Sequence, residues 1–167
     1  MRTNLALTVG LIILLGTATA CWEGEDDPLV DMGTGQQLYA LFWEGVTSPL
    51  PRPSDGFVVA GPDTAAFLDD ALARLGLDWR EANEFIVYWL PVLEASPYNF
   101  IHFATTAWQA AVPLEVTPAP DSVIRFLMSY EPLLAMPVPA PPLQILTAPP
   151  RIGFSLVEWG GARLDFH

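Results

Sequence analysis

Residues 62–93 read PDTAAFLDDALARLGLDWREANEFIVYWLPVL, and their spacing decides the fold class. Pro62 and Asp63 open a helix, since the first amides of a helix have no acceptor within it and a proline there loses nothing. The apolar stripe of that helix is Ala65, Leu68, Leu72 and Leu75, recurring at three- and four-residue steps. Gly76 ends it, because the left-handed cap conformation is strain-free for a residue without Cβ. Asp78 and Glu81 have capping-box spacing, each carboxylate able to accept an unpaired amide at the start of the next helix. That second helix gathers Ala82, Phe85, Ile86, Trp89, Leu90 and Leu93 on one side, and Pro91 should kink or finish it. The two make a helical hairpin.

The flanking segments alternate instead. Phe57-Val58-Val59-Ala60 reads as a short buried strand. Beyond Pro97, Tyr98 to Ala104, Val112 to Thr117 and Asp121 to Glu131 read as strands. The last puts Ile124, Phe126, Met128 and Tyr130 on one face and Arg125, Ser129 and Glu131 on the other. Residues 37–46 form a further predicted strand, interrupted by Pro49-Leu50-Pro51-Arg52-Pro53. Residues 137–150, PVPAPPLQILTAPP, read as an extended connector across the domain. Phe154 to Trp159, then Gly160-Gly161, then Ala162 to Phe166 carry a hairpin signal, which would set Glu158 opposite Arg163 as an ion pair. The predicted fold is α+β: antiparallel sheet with a helical hairpin packed on one side and a C-terminal β-hairpin.

The N-terminus has the form of an export signal. Arg2 is followed by an apolar run from Leu5 to Leu15 and by the small residues 16–20 before Cys21. The run is shorter than the roughly 20 apolar residues of a membrane-spanning helix. Cys21 is the only cysteine, so it has no partner for an internal disulfide. Ala18-Thr19-Ala20-Cys21 resembles the cleavage box of bacterial lipoproteins, without the usual leucine three residues before the cysteine. It also suits ordinary cleavage before Cys21. Lipidation accounts for the odd thiol and is the reading adopted. The expected organisation is a signal peptide at 1–20, an acidic tether at 21–36 and a single α+β domain at 37–167. Without residues 1–20 the chain keeps six arginines against 19 acidic residues and no lysine, a net charge of −13. It has no basic stripe for nucleic acid and no attraction to anionic headgroups.

Four ordered blocks resemble a known family: Glu81 to Pro91 (EANEFIVYWLP), Pro97 to Ile101 (PYNFI), Pro120 to Arg125 (PDSVIR) and Gly153 to Gly161 (GFSLVEWGG). The family comprises uncharacterised bacterial secreted proteins and lipoproteins, many with a KPVIYLYP-type motif upstream. The likeness covers roughly residues 37 to 161. This chain lacks the KPVIYLYP stretch and looks like the C-terminal module alone on a lipid tether. The resemblance implies export and a fold, and brings no activity with it.

Candidate chemistry is sparse. His102 is the one internal histidine and the default general base, but no cysteine or activated serine neighbours it in sequence. Histidine and cysteine are too few and too scattered for a zinc site, and no glycine loop has phosphate-binding form, so neither metal nor cofactor is expected. No catalytic residue is assigned. Asp121 and Glu158 are the carboxylates that a hydrolase of envelope polymers would pair across a sugar. Exposed tryptophan or tyrosine near arginine marks a contact surface instead. His102, Trp108 and Arg125 are accordingly the binding candidates, and Cys21 the lipidation site. The expected partners are the membrane, through the lipid, and an envelope protein or polymer.

Overall fold

In the computed structural model, which describes residues 7–18, 29–31, 33–47 and 50–164, alternation and helical spacing sort as the sequence asks. The strands are β1 (Leu7–Ala18), β2 (Leu29–Val30), β3 (Gln37–Leu38), β4 (Leu41–Thr47), β5 (Phe57–Ala60), β6 (Tyr98–Ala104), β7 (Ser122–Leu133) and β8 (Gly153–Arg163). The helices are α1 (Thr64–Leu75), α2 (Trp79–Leu93) and the short α3 (Thr106–Ala111). The fold is α+β. Its centre is an open mixed sheet in the order β8-β7-β6-β5, and β1 and β4 extend it beyond β8. Neighbours are antiparallel except β7 and β8, which run parallel. β2 and β3 form a separate small ladder.

The hairpin of helices is built as its caps predict. Gly76 adopts φ 97°, and the Leu77 amide reaches back to the Leu72 carbonyl at 3.1 Å, closing a Schellman-type end. The Asp78 side chain accepts the amides of Arg80 and Glu81 at 2.8 and 2.9 Å, while Glu81 accepts the Asp78 amide at 2.8 Å. Leu68, Leu72, Leu75, Phe85 and Leu93 are buried against the sheet, where they meet Ile124, Phe126, Met128, Tyr130, Val157 and Trp159. Ala65, predicted for the stripe, is exposed, and Thr64 turns inward to donate to the Ala60 carbonyl at 3.2 Å. The Phe85 ring lies 5.1 Å from Trp159 and 5.8 Å from Phe126, so one aromatic cluster joins α2 to β7 and β8. Pro91 stays inside α2, which ends two residues later at Leu93.

Three expectations are corrected. First, the C-terminal hairpin does not form, because β8 runs unbroken from Gly153 to Arg163. Gly160 and Gly161 lie within the strand, not in a turn. A Cβ on Gly161 would overlap the Trp89 ring, so glycine serves close packing of α2 on the sheet. Glu158 therefore stands beside Arg125 of β7, not opposite Arg163. Second, the strand predicted at 112–117 is absent. The chain forms α3 and then an irregular loop, since Pro113, Pro118 and Pro120 break up any ladder. Third, the strand predicted over 37–46 is divided at residues 39–40 into β3 and β4.

Parallel strands need a crossover, and here it is the proline-rich segment 134–152 rather than a helix. Gln144 holds it to the sheet. Its amide donates to the Phe103 carbonyl at 2.8 Å and accepts the Phe103 amide at 2.9 Å, capping β6 where β5 has stopped. Leu146 is buried in the helix-side core, and Arg151 makes a bidentate pair with Glu81 at 2.7 and 2.8 Å.

Candidate functional site

The side chains singled out by the sequence are brought to three different places. Arg125 points to the sheet face away from α1 and α2, where α3 lies. The cover there is Trp108, packed with Ala104, Leu127 and Ala162 and flanked by Trp43, Leu50 and Val112. Trp108 is 1% exposed, so this binding candidate is core. Under that cover Arg125 Nε bonds Glu158 Oε2. Arg125 Nη2 also donates to the Val112 carbonyl at 3.0 Å, and Trp43 Nε1 donates to Glu158 Oε1 at 3.3 Å. Arg125 is 6% exposed and Glu158 is 0% exposed. This is an enclosed ion pair in which each charge is matched by the other and by neutral hydrogen bonds.

Beside Arg125 the sheet has a notch. The β6–β7 ladder ends at Ala104↔Leu127, while β7 continues back to Ser122 with only β8 at its side. Thr105, Thr106, Gln109 and Thr147 line the resulting hollow of about 280 Å³. Its polar groups are hydroxyls, an amide and strand-edge backbone, and its cation is already engaged by Glu158.

Asp121 lies elsewhere. It is exposed just before β7, accepts the Phe154 amide at 2.8 Å, and returns its own amide to the Phe154 carbonyl at 2.7 Å. A Cβ on Gly153, at φ 55°, would collide with this carboxylate. Asp121 and Glu158 therefore have separate structural partners and do not face one cleft.

His102 is half-buried on β6. Its Nδ1 is 3.0 Å from the Asp55 carbonyl oxygen and 3.4 Å from the Asp55 carboxylate. Burial pushes its pKa below the ordinary imidazole value, and the two Asp55 oxygens oppose that shift with smaller effect. Cys21 and His167 lie outside the described residues. Among the described residues no cluster of His, Cys, Asp and Glu could hold a metal ion, and no helix is long and apolar enough to cross a membrane.

A surface that sequence reasoning did not assemble lies on the outside of α2. Trp79 is 75% exposed, Val87 68% and Tyr88 57%, and Tyr39 beside them is 63% exposed. Helical spacing aligns Trp79, Asn83 and Val87 in one row and Arg80, Glu84 and Tyr88 in the next. The Arg80 guanidinium sits 5.1 Å from the Trp79 ring centroid, and Tyr39 donates its hydroxyl to Glu84. That bond to a carboxylate is the main reason the Tyr39 pKa is pushed up to about 12. Sequence reasoning did not single out Trp79, although its position ahead of the buried stripe, on the first turn, is the signal that would have found it. No protein-family model, curated protein or solved structure matches this chain.

Proposed function

We propose that this protein is exported, is held at a membrane by lipid on Cys21, and binds another envelope protein, without catalysis, through the outer face of α2. One contrast carries the reading. The two carboxylates fit for acid–base work are tied up, Glu158 by Arg125 and Trp43 and Asp121 by Phe154, and neither faces His102. Large aromatic groups stand in solvent next to an arginine and a glutamate instead. Exposed tryptophan and tyrosine are typical anchors of protein interfaces. A chain of net charge −12, with Asp78 and Glu84 bordering this face, is ill suited to an anionic polymer and well suited to a protein surface. The export signal and the resemblance to exported proteins support the location.

The test uses the lipidated chain as bait in detergent-solubilised envelope. Wild type should retain a partner that a Trp79→Ala, Tyr88→Ala variant loses, while both melt at the same temperature because the two side chains are exposed. Equal retention by both baits would refute the α2 surface. Cleavage of envelope polymer by wild type, abolished by Asp121→Asn, would replace binding by hydrolysis.

A further inference from the structure

β1 is the part of the chain with two readings. Residues 7–18 belong to the export signal, and in the full chain the same residues fill the space between β8 and β4. Nine of them pair with β8, from Gly10↔Gly161 to Ala18↔Gly153, and seven pair with β4, from Leu7↔Thr47 to Ile13↔Leu41. Among the described residues β4 has no other neighbour in the sheet, and the far edge of β8 is taken by β7.

We propose that removal of residues 1–20 opens a slot one strand wide between β8 and β4. The slot takes an extended, charge-free apolar segment of a partner polypeptide, running antiparallel to β8. The inference rests on the export reading above.

Geometry and chemistry both select this occupant. Without β1, the backbone donors and acceptors on the β1 side of β8, along Gly153 to Gly161, lose their partners, and a long unpaired edge is a template for strand addition. Both faces of β8 stay covered, with α2 packed on one and the Trp108 cluster on the other, so the edge toward β4 is the side that opens. A strand entering the slot must have both edges free, because residues 10–13 are paired on both sides. The β8 strand of a second copy already has one edge on β7, so it does not fit, and a net charge of −13 on each mature chain opposes self-association. A strand inside a sheet covered on both faces is apolar throughout rather than alternating. The sequence occupying the slot, LTVGLIILLGTA, is of that kind and carries no charge.

The test starts from protein purified from the envelope of cells expressing the full chain, with its intact mass measured first. A fluorescent peptide of residues 7–18 with a neutral hydrophilic tail is then titrated and its anisotropy followed. The processed protein should bind it saturably and melt at a higher temperature with it. A peptide carrying Ile13→Pro, which lacks a ladder donor in the doubly paired stretch, should bind at least about tenfold more weakly. A processed mass with no peptide binding, or equal binding of both peptides, would overturn the slot and leave export standing. A processed protein that sediments as a dimer and dissociates on adding peptide would assign the slot to a second copy. A mass that still includes residues 1–20 would overturn the cleavage, and the slot with it.

Discussion

Replacing Glu158 by Gln takes a charge from a buried ion pair, whose carboxylate is 0% exposed. Arg125, 6% exposed, would keep its guanidinium among Val112, Trp43 and the sheet with no counter-charge. Breaking a buried pair from one side costs about 3–5 kcal/mol, because the remaining charge is desolvated and unmatched. For a domain of this size each kcal/mol moves the melting temperature by about 2–4 °C, so the expected fall is about 6–20 °C. The companion variant, Arg125→Met with Glu158→Leu, removes both charges and keeps the volume. Its stability should lie within about 1–2 kcal/mol of wild type or above it, with the Val112 carbonyl as the group left wanting a donor. Urea unfolding of wild type, both single variants and the double variant gives the coupling directly. A loss under about 0.5 kcal/mol for Glu158→Gln, the range of surface substitutions, would refute the reasoning. Glu158 would then be free for chemistry.

Three further outcomes follow from the same packing. Leu72, 0% exposed beneath the helical hairpin, should cost about 2–5 kcal/mol as Leu72→Ala through lost transfer energy and the cavity left behind, read by urea denaturation. Gly161→Ala should cost about 1–3 kcal/mol by forcing the Trp89 ring off the sheet, and Trp89→Leu in the same chain should recover part of it. His102 is held below its ordinary pKa by burial, so the folded state binds its proton more weakly than the unfolded state does. Its contribution is full above the unfolded value of about 6.5 and is lost as pH falls below it. His102→Gln should therefore lose less stability than wild type between pH 7.5 and 5 in urea midpoints. Parallel profiles would show that His102 is not buried as described.

Local spacing carried most of the fold. Leu68, Leu72 and Leu75 of the α1 stripe, Gly76, the Asp78–Glu81 box and the alternation of Ile124 to Tyr130 all depend on near neighbours and stand as read, while Ala65 of that stripe is exposed. The errors came where distant residues decide. Gly160-Gly161 satisfies the chemistry of a two-residue turn, and only the Trp89 ring, arriving from α2, explains why the strand continues there. Parallel pairing of β7 with β8 leaves no mark in sequence, so Glu158 was matched with Arg163 when its partner is Arg125. Alternation placed Arg125 and Ser129 on the face opposite the core. It could not show that α3 and Trp43 cover that face too, which turns Arg125 from a binding candidate into a buried support. Trp108 went the same way, since it lies on α3, the helix that closes that second layer.

Export with a lipid on Cys21 underlies both the proposed binding role and the opening of the β8 edge, and the intact mass of the protein extracted from the envelope tests it most directly. The expected species begins at Cys21, carries a mass increment of diacylglycerol size and partitions into detergent, and Cys21→Ser removes both the increment and the partitioning. An unmodified protein beginning at Cys21, or one that still retains residues 1–20, would contradict it.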